Sequence, residues 1–155
     1  MGKDLFTFRE LKKNDLELMV EYEKSTRVTE EDVFLDFDER KYRIAFLGQN
    51  IDYQANNRVI LCFFEGRIIG RVDLIIEHSF MDFHTEGYID WIYVVKPHRG
   101  KGIAKQLISE AEKFFREEEI FNYYLFVAKN KEAMAFYKSI DVDIKLVNKA
   151  TKHLI

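Results

Sequence analysis

The run Arg99-Gly100-Lys101-Gly102-Ile103-Ala104 constrains this chain more than any other stretch. It stands between an apolar segment, Tyr88 to Val95, and a long amphipathic one, Ile103 to about Phe115. Glycines in that place specify a strand, a tight turn and a helix start. Such a turn gathers backbone N–H groups at the positive end of a helix dipole, where a pyrophosphate is well held.

The segments around the turn supply a frame for it. Leu5 to Leu11 alternates apolar and polar residues and predicts a first strand. Asn14 or Asp15 caps a helix carrying Leu16, Leu18, Met19 and Tyr22. Thr29, followed by acidic residues, predicts a second helix with Val33, Phe34 and Phe37 on one face, while Tyr42 to Asn57 is ambiguous. Val59 to Phe64, then Glu65-Gly66-Arg67, then Ile68 to Glu77 reads as a β-hairpin. Ser79 to Gly87 reads as a loop. After the glycine turn, Ile103, Leu107, Ile108, Ala111, Phe114 and Phe115 form an apolar stripe. Tyr123 to Val127 predicts a strand, Asn130 to Ser139 a short helix and Ile144 to Val147 a last strand. This order predicts an α/β fold with a mixed sheet flanked by helices. The strand–helix–strand unit from Tyr88 to Val127 makes its two strands parallel.

A chain of 155 residues fits one domain over 1–155. Its net charge of −3 argues against a general nucleic-acid binder. The single cysteine, Cys62, lies in an apolar run and reads as a buried structural thiol. With charges at Lys3 and Asp4 and no long apolar stretch after them, no signal peptide is expected, and no run has the length of a membrane span. The expectation is a cytoplasmic protein that binds no membrane.

Three phosphate-binding readings compete for the turn. A P-loop needs Ser or Thr after Gly-Lys, where Gly102 stands. A dinucleotide fingerprint needs a third glycine, where Lys105 stands. The pattern Arg/Gln-x-x-Gly-x-Gly/Ala is met in full by Arg99 to Ala104. Here the chain resembles the GNAT N-acetyltransferase family, whose acetyl-CoA loop has this form. Tyr88 to Val94 is similar to the family's central strand. Asn130-Lys131-Glu132-Ala133-Met134-Ala135-Phe136-Tyr137 is similar to its second signature, Asn-x-x-Ala-x-x-x-Tyr. Pro97 sits one position late, and Asp141 and Val142 replace the family's frequent Gly and Phe. The resemblance implies the acyl-CoA N-acyltransferase fold: a central mixed, mostly antiparallel sheet with one parallel strand pair, flanked by helices.

It also implies a mechanism. Backbone N–H groups of Arg99, Gly100, Lys101, Gly102, Ile103 and Ala104 bind the pyrophosphate of acetyl-CoA. Ile92, Tyr93 and Val94 pair with its pantetheine arm, and the N–H near Val94 faces the acetyl oxygen. Tyr137 is the candidate general acid, because a phenol stays protonated at neutral pH. Asn130 binds the pantetheine or caps its helix. An amine must lose a proton before attack. The candidate bases are Asp90, then Glu86, then His84 and His78. By strand parity Asp90 shares a face with Ile92 and Val94, unless a bulge intervenes. No metal is required.

The acidic residues Glu30, Glu31, Asp32, Asp36, Asp38 and Glu39, with Asp82, Glu86 and Asp90, hint at a cationic acceptor. A solvated helix face is the competing reading. Phe34, Phe37, Phe80, Phe83 and Trp91 are either pocket walls or core. The expectation is thus an acetyl-CoA-dependent N-acetyltransferase for a small or peptidic amine. The alternative is a GNAT-fold module that binds acyl-CoA without turnover. A homodimer is an expectation from the family alone.

Overall fold

The computed structural model describes residues 5–30, 33 and 36–155. Alternating and β-branched runs form β1 (Thr7–Glu10), β2 (Asn57–Phe64), β3 (Arg67–His78), β4 (Thr85–Val94) and β5 (Tyr123–Leu125). They make a five-stranded sheet in the order β1-β2-β3-β4-β5. β4 and β5 are parallel, and the other pairs are antiparallel. Glu65 (φ 49°) and Gly66 (φ 77°) turn the β2–β3 hairpin in left-handed backbone. That conformation suits the right-handed twist of the strands it joins.

Helices cover both faces. One face, with Ile60, Cys62, Ile69, Val72, Leu74 and Val94, packs on the apolar stripe of α3 (Ile103–Glu117), and Phe136 of α4 (Lys131–Ser139) joins it. The other face, with Leu61, Phe63 and Ile68, packs on Met19 and Tyr22 of α1 (Leu16–Thr29) and Phe46 of α2 (Glu39–Gly48). Cys62 is fully enclosed, and burial pushes its thiol up to about 12, as befits a structural cysteine.

Several local expectations change. Thr29 ends α1 instead of starting a helix, its hydroxyl donating to the Ser25 carbonyl at 2.7 Å. Val33 and Phe37 are irregular; Phe34, with Glu31 and Asp32, lies outside the described residues. The second helix starts after Asp38, whose carboxylate accepts from the Lys41 N–H at 3.0 Å. Residues 85–87, expected in a loop, extend β4. β5 stops at Leu125, and Ile144–Val147 forms no strand: Leu146 and Val147 stand exposed. Asp141, where the resemblance calls for glycine, takes φ 57°, a left-handed conformation that Asp tolerates better than most residues.

Asp15 joins β1 to α1. Its carboxylate accepts from both terminal nitrogens of Arg9 at 2.7 and 2.8 Å and from the Lys12 N–H at 2.8 Å. Burial alone would raise its pKa, but the hydrogen bonds from Arg9 and Lys12 outweigh this and hold it below the ordinary value. A depressed carboxylate contributes stability above its unfolded pKa, and that contribution fades as pH falls through the folded one. Asp15→Asn is expected to cost about 1–2 kcal/mol at neutral pH, toward the low end for a charged hydrogen bond because Arg9 is partly solvated. Urea titrations at pH 7 and pH 3 check this: the gap between variant and parent should narrow in acid.

Candidate active site

A register shift builds the site. On β3 and β4, Asp73 pairs with Trp91 and Leu74 pairs with Ile89. Asp90 is therefore the extra residue of a bulge, which bends the strand. β5 follows β4 only through Gly87↔Tyr123, Tyr88↔Tyr124 and Ile89↔Leu125. Beyond Ile89 the two strands part. From Asp90 to Val94 the edge of β4 lines a cleft of ≈ 1060 Å³, whose other walls include Gly100, Gly102, Ile103, Ala104, Phe126, Asn130, Phe136 and Tyr137. The bulge also breaks the expected parity. Val94 and Ile92 serve the α3-side core, whereas Asp90 approaches Tyr88, whose hydroxyl pKa is raised by burial and then by Asp90.

The floor of one end is the glycine turn. Gly100 (φ 76°) and Gly102 (φ 81°) are both left-handed, with nothing within 4 Å of a would-be Cβ. Backbone conformation, rather than crowding, selects glycine at both places. Gly102 is the N-cap of α3, so the first N–H groups of the helix point into the turn without intrahelical acceptors. Arg99 lines the cleft and is also tied to its neighbours. Its N–H donates to the Lys96 carbonyl at 3.1 Å, its Nε to the Val94 carbonyl at 2.8 Å and its Nη1 to Glu132 at 2.9 Å. It braces the end of β4 to the start of α4.

These features agree with what the chain is similar to. The model of the acetyltransferase (GNAT) family matches residues 17–141. The chain belongs to the GNAT acetyltransferase family. Among solved structures, an aminoglycoside acetyltransferase from an uncultured soil metagenomic sample superposes with a TM-score of 0.75 at 18% identity, over 98% of this chain and 99% of that one. A ribosomal-protein-alanine N-acetyltransferase from Brucella melitensis biovar Abortus 2308 gives 0.73 at 17% identity, over 96% and 99%. A predicted acetyltransferase from Clostridium acetobutylicum, solved with acetyl-CoA, gives 0.71 at 16% identity, over 96% of each chain. At these identities the likeness shows the fold. No curated protein sequence matches the chain.

Within this GNAT domain the expected residues are sorted by position. Ile92, Tyr93, Val94, Gly100, Gly102, Ile103, Ala104, Asn130 and Tyr137 all line the cleft. Lys101 sits in the turn between the two glycines, with its ammonium 6.0 Å from the Phe6 ring centre. Asn130 caps α4, its Oδ1 accepting from the Ala133 N–H at 2.8 Å. Tyr137 is 6% exposed, and among the described residues its hydroxyl makes no hydrogen bond; burial raises its pKa.

Of the candidate bases, Asp90 alone lines the cleft. Glu86 instead accepts from Asn122 at 2.6 Å and borders a separate cavity with His78 and His84. His84 is ion-paired with Asp82, which raises its pKa.

Among the described residues of the acidic run, Glu30, Asp36, Asp38 and Glu39 are not in the cleft lining. Glu30 is buried and ties α1 to the end of β4, accepting from the Tyr93 hydroxyl and the Lys96 N–H, each at 3.0 Å. Asp38 is a cap, and Glu39 pairs with Lys24 and Arg43. Sequence reasoning passed over Phe126 and Glu132. Phe126 follows β5 and carries the strand alternation into the cleft mouth, a signal the apolar run Tyr123 to Val127 contained.

Proposed function

We propose that this protein is an N-acetyltransferase of the cytoplasm that uses acetyl-CoA and an amine acceptor in one direct transfer. The observation that carries this reading is the β4 edge from Asp90 to Val94. It is open to the cleft, runs into an anion-ready helix N-terminus and is faced by a buried tyrosine. Main-chain groups of Ile92 to Val94 hold an extended amide-bearing arm as a neighbouring strand would. N–H groups from Gly100 to Ala104 hold the pyrophosphate. The N–H near Val94 stabilises charge growing on the acetyl oxygen. Tyr137 gives its proton to the departing thiolate. Asp90 takes the proton of the amine, directly or through water.

The acceptor enters from the sheet face opposite α3. Tyr88 and Tyr124 stack there at 4.8 Å, and Phe126 meets both rings edge-on at 6.0 Å. The Tyr124 hydroxyl donates to Glu77 at 2.9 Å, and Asp90 stands beside Tyr88. Rings backed by carboxylates favour a cation, through ring quadrupoles as well as charge. The acceptor is accordingly an alkylammonium: a polyamine, an aminoglycoside or a lysine-bearing peptide.

Acetyl-CoA-dependent thiol release against a panel of those amines tests the reading. Release with a cationic amine supports it. Silence across the panel, with acetyl-CoA binding retained in calorimetry, would favour an acyl-CoA-binding module without turnover. Gly102→Ala serves as a separate check of the turn. A left-handed Cβ costs roughly 1–2 kcal/mol, so acetyl-CoA should bind about tenfold more weakly by calorimetry. An unchanged affinity would move the pyrophosphate elsewhere.

A further inference from the structure

The chain carries an alkylammonium of its own at this mouth. Residues 140–155 follow α4 without helix or strand, and the Lys149 ammonium lies 5.5 Å from the centre of the Phe126 ring. Phe126 lines the cleft and is 55% exposed, on the side of the sheet where the acceptor enters. The neighbouring tail lysine, Lys145, is turned toward Asp143 at 3.7 Å instead. A lysine over an exposed ring is weakly held, and its four-carbon stem is flexible. The tether keeps its amine beside Phe126 at the cleft mouth, at a high effective concentration.

We infer that Lys149 is itself an acceptor: the protein acetylates its own tail at this residue. The inference rests on the transferase reading above. In the step, the Nζ lone pair forms a bond to the acetyl carbonyl carbon, and the carbon–sulfur bond breaks. The sulfur leaves with the electron pair and takes the Tyr137 proton. The ammonium sheds one proton through Asp90 to water before attack and a second to water after it, and Tyr137 regains one from water. The products are Lys149 with a neutral acetamide, free CoA thiol and one released proton. Acetylation removes the charge that holds Lys149 on Phe126 and frees the mouth for another acceptor.

Peptide mass spectrometry after incubation with acetyl-CoA tests this. One acetyl group is expected, on Lys149 ahead of Lys145 and Lys152, at a rate per molecule unchanged by tenfold dilution of the protein. Lys149→Arg should remove that product, and Tyr137→Phe should slow it strongly. Even labelling of all exposed lysines, equal in Tyr137→Phe, would mark simple chemical acetylation and overturn the inference. A rate that falls with dilution would overturn the intramolecular route. If an external amine is acetylated while Lys149 stays unmodified, the inference fails and the transferase reading stands. If nothing is acetylated although acetyl-CoA binds, the transferase reading falls with it.

Discussion

Tyr137→Phe is expected to lower turnover by about 10²–10⁴-fold, the usual loss when a positioned proton donor is removed. The affinity for acetyl-CoA should change little. The side chain is buried on α4 at the cleft wall, and its hydroxyl has no protein partner among the described residues to lose. Phe keeps the ring and its packing beside Phe136, 5.3 Å away, so the fold should tolerate the change. The pH dependence follows from the same burial. An acid acts only while protonated, and burial raises this phenol above its ordinary value. Activity that depends on Tyr137 is therefore present through neutral pH and declines only at a pH above the ordinary phenol range. Steady-state kinetics should show kcat and kcat/KM falling by the same factor, the mark of an interaction made in the transition state. A change within about threefold would leave Tyr137 as a packing residue and give the proton to water.

The parts of the fold legible in the sequence were those fixed by local physics. The Glu65-Gly66 turn, the α3 stripe and the capped helix at Asn130 each depend on neighbours a few residues away. The strand–helix–strand unit also dictated the parallel pairing of β4 and β5. Choices between equal local signals went astray. Thr29 and Asp38 both precede acidic helix-like runs, and only packing selects Asp38. Ile144 to Val147 has strand-forming residues, but a strand needs a partner edge, and none takes it up. In the site, glycines at the turn were readable because their left-handed backbone excludes other residues. The bulge at Asp90 was not, because register is set by pairing with β3, from Asp73 to Leu74, distant in sequence. Arg99 and Glu30 carry charges that suggested ligand contacts. Glu132 pairs with the one, and Tyr93 and Lys96 bind the other; these partners lie tens of residues away, so neither bracing contact was visible locally.

Behind the cleft, Arg71→Ala is expected to destabilise the protein by about 3–5 kcal/mol, the cost of breaking a buried ion pair by removing one partner. Arg71 is held on β3 under α1. Its Nη1 donates to Glu23 at 2.7 Å, while Nε and Nη2 fork onto Asp73 at 2.8 and 2.6 Å. Burial works against the guanidinium, yet the charges of Asp73 and Glu23 keep its pKa above the usual value. Arg27 also reaches Glu23, at 2.7 Å, so one carboxylate retains a partner in the variant and Asp73 does not. Asp73 pairs in register with Trp91, directly beside the Asp90 bulge. Loss of Arg71 thus strikes the segment where β4 turns away from β5. A chain of this size should melt roughly 6–20 °C lower, at 2–4 °C per kcal/mol, and the surviving folded protein should bind acetyl-CoA less well. Arg71→Lys keeps the charge without the planar fork and should fall between the two. The opposite test removes Arg71 together with the charge it would strand. Arg71→Met with Asp73→Asn leaves Glu23 paired with Arg27, and it should recover most of the stability lost in Arg71→Ala. If that double variant melts as low as Arg71→Ala, the loss comes from packing, not from unpaired charge.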